Sequence, residues 1–165
     1  MNLPLEITPG YDRPDEVAAL FSEYTKMLVD TMPYFGEYLA LQNYGSEEQD
    51  PGAKYALPRG RLYLACFDGA LAGCIALRQL DDDRAELKRM YVRPEFRGRH
   101  IARSLAERII SDAKSIGYRC IMLDTEPCLE AAIKLYLSLG FRFTERYSDS
   151  PFDSTLYMSL ELKSL

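Results

Sequence analysis

The chain has 165 residues, 47% of them hydrophobic and 27% charged, which is typical of a soluble globular protein with one domain. No apolar run is long enough to cross a membrane, and the first residues lack the basic and apolar segments of a secretory signal. We therefore expect a cytoplasmic protein without a membrane partner.

The formal net charge of −5 is unevenly distributed. Residues 84–119 contain ten Lys and Arg against four Asp and Glu, a net charge of +6, whereas the remaining residues sum to −11. One basic zone on an acidic protein suits a small bound polyanion better than a nucleic-acid track, so we predict no nucleic-acid partner. The four cysteines form no CxxC pair and the chain has one histidine, which predicts buried free thiols and no metal site.

The N-terminal third predicts one strand, two helices and a loop. Residues 5–7 alternate like a strand, and Asp12 can cap a helix that begins near Pro14. A second, short helix is predicted over residues 34–43. Glycine and proline between residues 44 and 60 indicate a loop.

The rest of the chain predicts a mixed sheet. Asp68-Gly69 is typical of a hairpin turn between two strands, and a basic, glycine-containing loop at residues 93–100 precedes an amphipathic helix that ends near Gly117. The predicted elements are strands at 61–67, 70–80, 84–92, 120–123, 141–143 and 155–162, and helices at 101–117 and 129–139. Their order predicts a single α/β (α+β) domain over residues 1–165, with a mixed, mostly antiparallel sheet of about six to seven strands flanked by four helices.

The loop Arg97-Gly98-Arg99-His100-Ile101-Ala102 has the features of a diphosphate site. It is neither a Walker loop nor a G-x-G-x-x-G fingerprint, which argues against nucleoside triphosphates and dinucleotides. Gly98 permits unusual backbone angles, Ala102 permits close approach, and the following helix presents its positive end.

This loop resembles the acetyl-CoA loop of the GCN5-related N-acetyltransferase (GNAT) family, which reads Arg/Gln-x-x-Gly-x-Gly/Ala at the start of a helix. Residues 131–141 resemble the second family signature, a helix that carries Leu-Tyr and ends in Leu-Gly-Phe. The two signatures occur in the family's order, and the resemblance spans roughly residues 60–145. His100 replaces the middle glycine, which is tolerable if its backbone stays helical, and Leu129 stands where many members have Asn.

The resemblance implies an enzyme that moves an acetyl group from acetyl-CoA to a primary amine by direct transfer in a ternary complex. It implies that the strand before the loop diverges from its neighbour and holds the acetyl carbonyl and pantetheine arm, that the loop holds the pyrophosphate, and that Tyr136 is the general acid. The cofactor-binding residues it implies are Met90, Tyr91, Val92, Arg97, Gly98, Arg99, His100, Ile101, Ala102 and Arg103.

Two carboxylates are candidates for the base that takes the amine proton. Glu86 lies four residues before Met90, so strict alternation places both side chains on one face of the strand and Tyr91 on the other. Glu86 could instead form a salt bridge. Asp124, at the end of the next strand, is the second candidate, and it could instead cap a turn; water is a third possibility.

The acceptor is expected between the first two helices and the following loop, and is a small-molecule or peptide amine. Aromatic and acidic side chains there suit a cation, although aromatic residues on short helices are also common in cores. These residues are Tyr34, Phe35, Glu37, Tyr38, Tyr44 and Glu47. Other functions stay open: an enzyme that uses a larger acyl-CoA or transfers to an oxygen, and a non-catalytic acyl-CoA-binding or regulatory module. The strand at 155–162 could pair within the sheet or between the subunits of a homodimer.

Overall fold

The computed structural model describes residues 4–32, 52–150 and 152–163. These residues form seven strands and three α-helices. The strands are β1 (Leu5–Pro9), β2 (Arg61–Phe67), β3 (Ala70–Gln79), β4 (Arg84–Val92), β5 (Cys120–Thr125), β6 (Arg142–Phe143) and β7 (Leu156–Glu161). The helices are α1 (Pro14–Thr31), α2 (Ile101–Ile116) and α3 (Glu130–Ser138).

The strands form one mixed sheet in the order β1-β2-β3-β4-β5-β7-β6. Every neighbouring pair is antiparallel except β4 and β5, which are parallel and joined by the α2 crossover. This confirms the predicted fold class. Three of the four predicted helices are present, and the fourth, at residues 34–43, lies outside the described residues together with the aromatic and acidic residues predicted for the acceptor. β7 pairs inside its own sheet, between β5 and β6.

The sheet separates two apolar clusters. Ile101, Leu105 and Ile109 of α2 pack on one face, and Val17 and Phe21 of α1 are among the residues buried against the other. Burial of each such side chain stabilises the fold by roughly 1.5–3 kcal/mol. We call these the α2 face and the α1 face of the sheet.

Two sequence expectations about local features are wrong. Arg13, not Asp12, occupies the N-cap of α1, and no side chain caps the helix there. The thiols are free, but only Cys74 is buried, and Cys128 is exposed because it lies in the turn before α3 rather than in a strand. The described ranges contain no cluster of three possible metal ligands and no helix long and apolar enough to cross a membrane.

Candidate active site

A wide cleft opens where β4 and β5 diverge. Their parallel pairing joins Arg84–Glu86 of β4 only to residues 120–122 of β5, and the following residues separate. The main cleft, about 710 Å³ in volume, lies between these strand ends, α1, α3 and the start of α2. This confirms the divergence that the family resemblance implies.

Nine of the ten predicted cofactor residues line the main cleft. They are Met90, Tyr91, Val92, Arg97, Gly98, His100, Ile101, Ala102 and Arg103. Arg99 is the exception, because its guanidinium lies over the ring of Phe67, 4.8 Å from the centroid and away from the cleft.

The start of α2 presents unpaired N–H groups to the cleft. The N–H of Ser104 donates to the carbonyl of His100 at 3.0 Å and begins the helical ladder. The N–H groups of Ile101, Ala102 and Arg103 therefore precede the ladder and have no helical carbonyl to bond. Whereas α1 and α3 carry acidic residues in their first turns, α2 has none. Such a helix start favours an anion.

His100 adopts a left-handed backbone, contrary to the helical conformation expected for a side chain at this position. Its φ and ψ are 61° and 22°. This region favours glycine and costs other residues about 1–2 kcal/mol. The family loop has glycine here, so the backbone shape is kept while this chain carries the strain.

Replacing His100 with glycine should relieve that strain. We expect His100→Gly to raise Tm by roughly 2–4 °C, measured by scanning calorimetry. His100→Ala is the matched control, since it removes the imidazole but keeps the Cβ atom. An equal rise in both variants would assign the effect to the imidazole and not to the backbone.

The two arginines that line the cleft, Arg97 in the loop and Arg103 in the first turn of α2, are held by neighbouring groups. The Nε of Arg97 donates to the carbonyl of Val92 at 3.0 Å, which fixes the loop to the end of β4. Arg103 donates to Ser138 Oγ at 3.0 Å and pairs with Glu107, so it joins α2 to α3 across the mouth of the cleft. Both guanidiniums keep further N–H donors that can meet a phosphate.

A β-bulge lies in β4 beside the cleft. Arg89 and Met90 stand opposite the single residue Ile75 of β3, and Arg89 has a φ of 61°. The thiol of Cys74 donates to the carbonyl of Arg89 at 3.2 Å. Burial raises the pKa of Cys74 to about 12, so the thiol stays protonated as a donor.

The bulge reverses the predicted facing of side chains in β4. One extra residue shifts the alternation, so Met90 packs toward the α2 face, whereas Glu86 lies on the α1 face with its cross-strand partner Arg78. Tyr91 packs in the α1 cluster, on the same side as Glu86. The expectation that Glu86 and Met90 share a face and that Tyr91 opposes Glu86 is therefore wrong.

Glu86 is buried in an ion-pair network behind the cleft. Arg78 Nε donates to one carboxylate oxygen at 2.8 Å and the Tyr147 hydroxyl donates to the other at 2.6 Å. Burial alone would raise the pKa of Glu86, but Lys88, Tyr147 and Arg78 together hold it below its usual value. Glu86 does not line the main cleft, so its position matches the salt-bridge alternative better than that of a base.

Tyr136 and Asp124 are among the residues shared by two cavities of the site. Both line the main cleft and a smaller side cavity of about 80 Å³, which also borders Tyr24, Met90 and Leu129. The side cavity reaches toward α1 and the loop around residue 150, and Lys88, Arg89 and Glu126 line it. These last three were missed by the sequence reasoning.

The titration of Tyr136 and Asp124 suits opposite proton-transfer roles. Burial raises the pKa of the Tyr136 phenol well above 10, so it remains a proton donor. Burial also raises the pKa of Asp124, and the charge of Glu86 adds to this against the opposing effect of Lys88. A carboxylate with a raised pKa is a stronger proton acceptor than an ordinary one.

A diverging parallel strand pair beside an unpaired helix start suits an extended, phosphorylated ligand, and similarity to known N-acetyltransferases shows that this protein is an acetyl-CoA-dependent N-acetyltransferase. The chain belongs to the Acetyltransferase (GNAT) family, whose sequence profile matches residues 23–141. It is 38% identical over 140 residues to an uncharacterized N-acetyltransferase of Schizosaccharomyces pombe, and this match covers 83% of the chain and 86% of that relative.

Further comparisons agree with this assignment. The N-acetylaspartate synthetase of Danio rerio is 40% identical over 95 residues, which cover 56% of this chain and 34% of that protein. Among solved structures, the fold matches the PaiA N-acetyltransferase from Thermoplasma acidophilum in complex with coenzyme A, with a TM-score of 0.76, 18% identity and coverage of 96% and 99%.

Proposed function

We propose that this chain transfers the acetyl group of acetyl-CoA directly to the primary amine of a small acceptor, with Asp124 as base and Tyr136 as general acid. The observation that carries this proposal is that the main cleft and the side cavity meet at these two side chains. A thioester in the main cleft and an amine in the side cavity would therefore meet between a proton acceptor and a proton donor.

The proposed reaction needs three proton transfers. Asp124 takes a proton from the ammonium of the acceptor, and the neutral amine attacks the thioester carbonyl to form the tetrahedral intermediate. That intermediate collapses with cleavage of the C–S bond, and Tyr136 donates its proton to the departing sulfur. The attacking nitrogen gives up its second proton, which restores the Tyr136 phenol, and Asp124 releases the first proton to solvent. The products are the N-acetylated acceptor and free coenzyme A.

The cofactor-binding residues follow from the same arrangement. Backbone groups of Met90, Tyr91 and Val92 on the edge of β4 that faces β5 would hold the pantetheine arm. β5 pairs only with residues 84–86 of β4, so it forms no ladder with this part of the edge. The start of α2, with Arg97 and Arg103, would hold the diphosphate. Arg99 would contribute through its backbone alone, since its side chain lies on Phe67.

The name of one set of relatives indicates a class of acceptor. N-acetylaspartate synthetases, by name, produce an N-acetylated amino acid, and several match about half of this chain at 39–40% identity. We therefore include free amino acids first in any acceptor panel, ahead of polyamines and peptides.

Calorimetric titration with acetyl-CoA and a thiol-release assay over an amine panel test the proposal together. We expect acetyl-CoA to bind and free coenzyme A to appear with at least one amine. Binding without thiol release on any amine would favour a non-catalytic acyl-CoA sensor. Absence of acetyl-CoA binding would refute the assignment of the main cleft.

A further inference from the structure

We infer that the acceptor is a free amino acid, and that Glu126 and Lys88 in the side cavity bind its ammonium and its carboxylate. This inference rests on the proposed function and specifies its substrate class.

The side cavity has one cationic wall and one acidic wall. Lys88 and Arg89 come from the bulged part of β4, whereas Asp124 lies in β5 and Glu126 directly follows its last residue. The two strands are no longer paired at these residues, so the cavity between them is lined by cations from one strand and carboxylates from the chain at the end of the other. A molecule with a positive and a negative group a few bonds apart matches this arrangement, whereas a simple alkylamine has no group that can bind the cations.

Glu126 has an acceptor oxygen that lacks a partner. Glu126 is 6% exposed, and Ser154 Oγ donates to its Oε1 at 3.0 Å. The other oxygen, Oε2, is buried and accepts no hydrogen bond within the described part of the chain. A buried carboxylate oxygen without a donor destabilises the fold. Because Glu126 lines the side cavity, we assign the missing donor to an ammonium bound there.

Lys88 is held at the cavity by Glu86 and keeps donors to spare. Its side chain is 18% exposed, and its Nζ lies 3.9 Å from Glu86 Oε1, an ion pair too long to be a hydrogen bond. Because Arg78 and Tyr147 fix the Glu86 carboxylate, it is a positioning residue that anchors the ammonium of Lys88. The three N–H donors of Lys88 can then meet a ligand carboxylate.

Arg89 strengthens the same wall. It is 8% exposed, lies with its guanidinium 5.1 Å from the centroid of the Phe21 ring, and lines the side cavity. Two cations on one wall of the cavity raise the positive potential at that wall, which favours an acceptor that carries a carboxylate over one that does not.

Matched pairs of acceptors test the inference. Each amino acid is compared with its α-carboxamide, which keeps the amine and removes the carboxylate charge. The amine of the amide is less basic, so an enzyme that ignores the carboxylate should prefer the amide. We expect kcat/KM, from thiol release, to be at least ~10-fold higher for the free amino acid, because a charged hydrogen bond to Lys88 is lost with the amide.

Two variants test which charged side chain binds the carboxylate of the acceptor and which binds its ammonium. Lys88→Met should raise KM for the amino acid ~10-fold or more and affect the amide much less, whereas Glu126→Gln should weaken both acceptors, since both carry the amine. The exposed Lys114→Met and Glu6→Gln, far from the cavity, are the matched controls and should change neither. Equal activity on acid and amide, or an equal loss on both in Lys88→Met, would overturn the inference.

A binding measurement separates this inference from the proposed function. Calorimetric titration of amino acid into the protein loaded with coenzyme A should show binding that Lys88→Met weakens ~10-fold or more. Binding of this kind without thiol release would support the carboxylate site and refute the proposed transfer. Turnover restricted to amines without a carboxylate would keep the transfer and overturn the inference.

Discussion

Replacing Tyr136 with phenylalanine should lower kcat by about 100-fold or more and leave the Kd for acetyl-CoA nearly unchanged. The substitution removes the hydroxyl and keeps the ring, which is 6% exposed and packs 5.6 Å from the ring of Phe141. The departing thiolate then has no positioned proton donor. Because burial raises the pKa of the phenol above its usual value, the wild-type rate should show no basic limb from this group below about pH 10.

Tyr118→Phe is the matched control for this substitution. Tyr118 is 3% exposed, and its hydroxyl donates to the carbonyl of Arg59 at 2.8 Å, away from both cavities. Its loss should lower stability by about 1 kcal/mol without changing kcat. Steady-state thiol release and calorimetry with acetyl-CoA measure both quantities. An unchanged kcat in Tyr136→Phe would remove Tyr136 as the general acid.

Local patterns in the sequence predict most of this fold. The strand bounds at 61–67 and 84–92 match the structure, because alternation and the turn residues that end each run are local properties. Asp68 and Gly69 both have positive φ, as the predicted hairpin turn requires. Gly117 ends α2 in the left-handed conformation for the same kind of local reason.

The bulge at Arg89 could not be predicted in this way. Arg89 has a positive φ, but no glycine or other turn residue marks this position in the sequence. The bulge also depends on how β4 pairs with Ile75 of β3, which is not a local property of the sequence. The extra residue therefore reverses, relative to strict alternation, the face of the sheet to which the side chains beyond it point. Strict alternation for this reason places Glu86 on the same face as Met90, whereas the structure does not.

The sequence contains a weak indication that Glu126 lies near the site. Glu126 follows Asp124 by two residues at the end of a buried strand, so both could have been placed on one side of the chain next to the diverging partner strand. The value of Glu126 as a ligand depends on its unbonded oxygen, which only the packing of Ser154 and its neighbours determines.

Replacing Asp124 with asparagine should lower kcat/KM by about 100-fold and abolish the acid limb of its pH profile. The carboxylate works as a base only when ionised, so the wild-type rate should rise with pH through the pKa of Asp124. That pKa is raised by burial and by the charge of Glu86, which places the limb above the ordinary range of an aspartate. Asparagine fits the same space and does not titrate. An acceptor whose ammonium has a pKa of ~10 stays protonated across this limb, as the proposed proton transfer to Asp124 requires, and its own titration lies at higher pH.

Glu86→Gln distinguishes the two candidate bases by its effect on the acid limb of the pH profile. If Asp124 is the base, removing the negative charge of Glu86 lowers the pKa of Asp124, so the acid limb should persist and move to lower pH. If Glu86 were the base, the same substitution would abolish the limb. The rate of Glu86→Gln should still fall, because Lys88 loses its anchoring carboxylate. A limb that survives in Asp124→Asn and disappears in Glu86→Gln would return the base to Glu86, although its two oxygens are held by Arg78 and Tyr147.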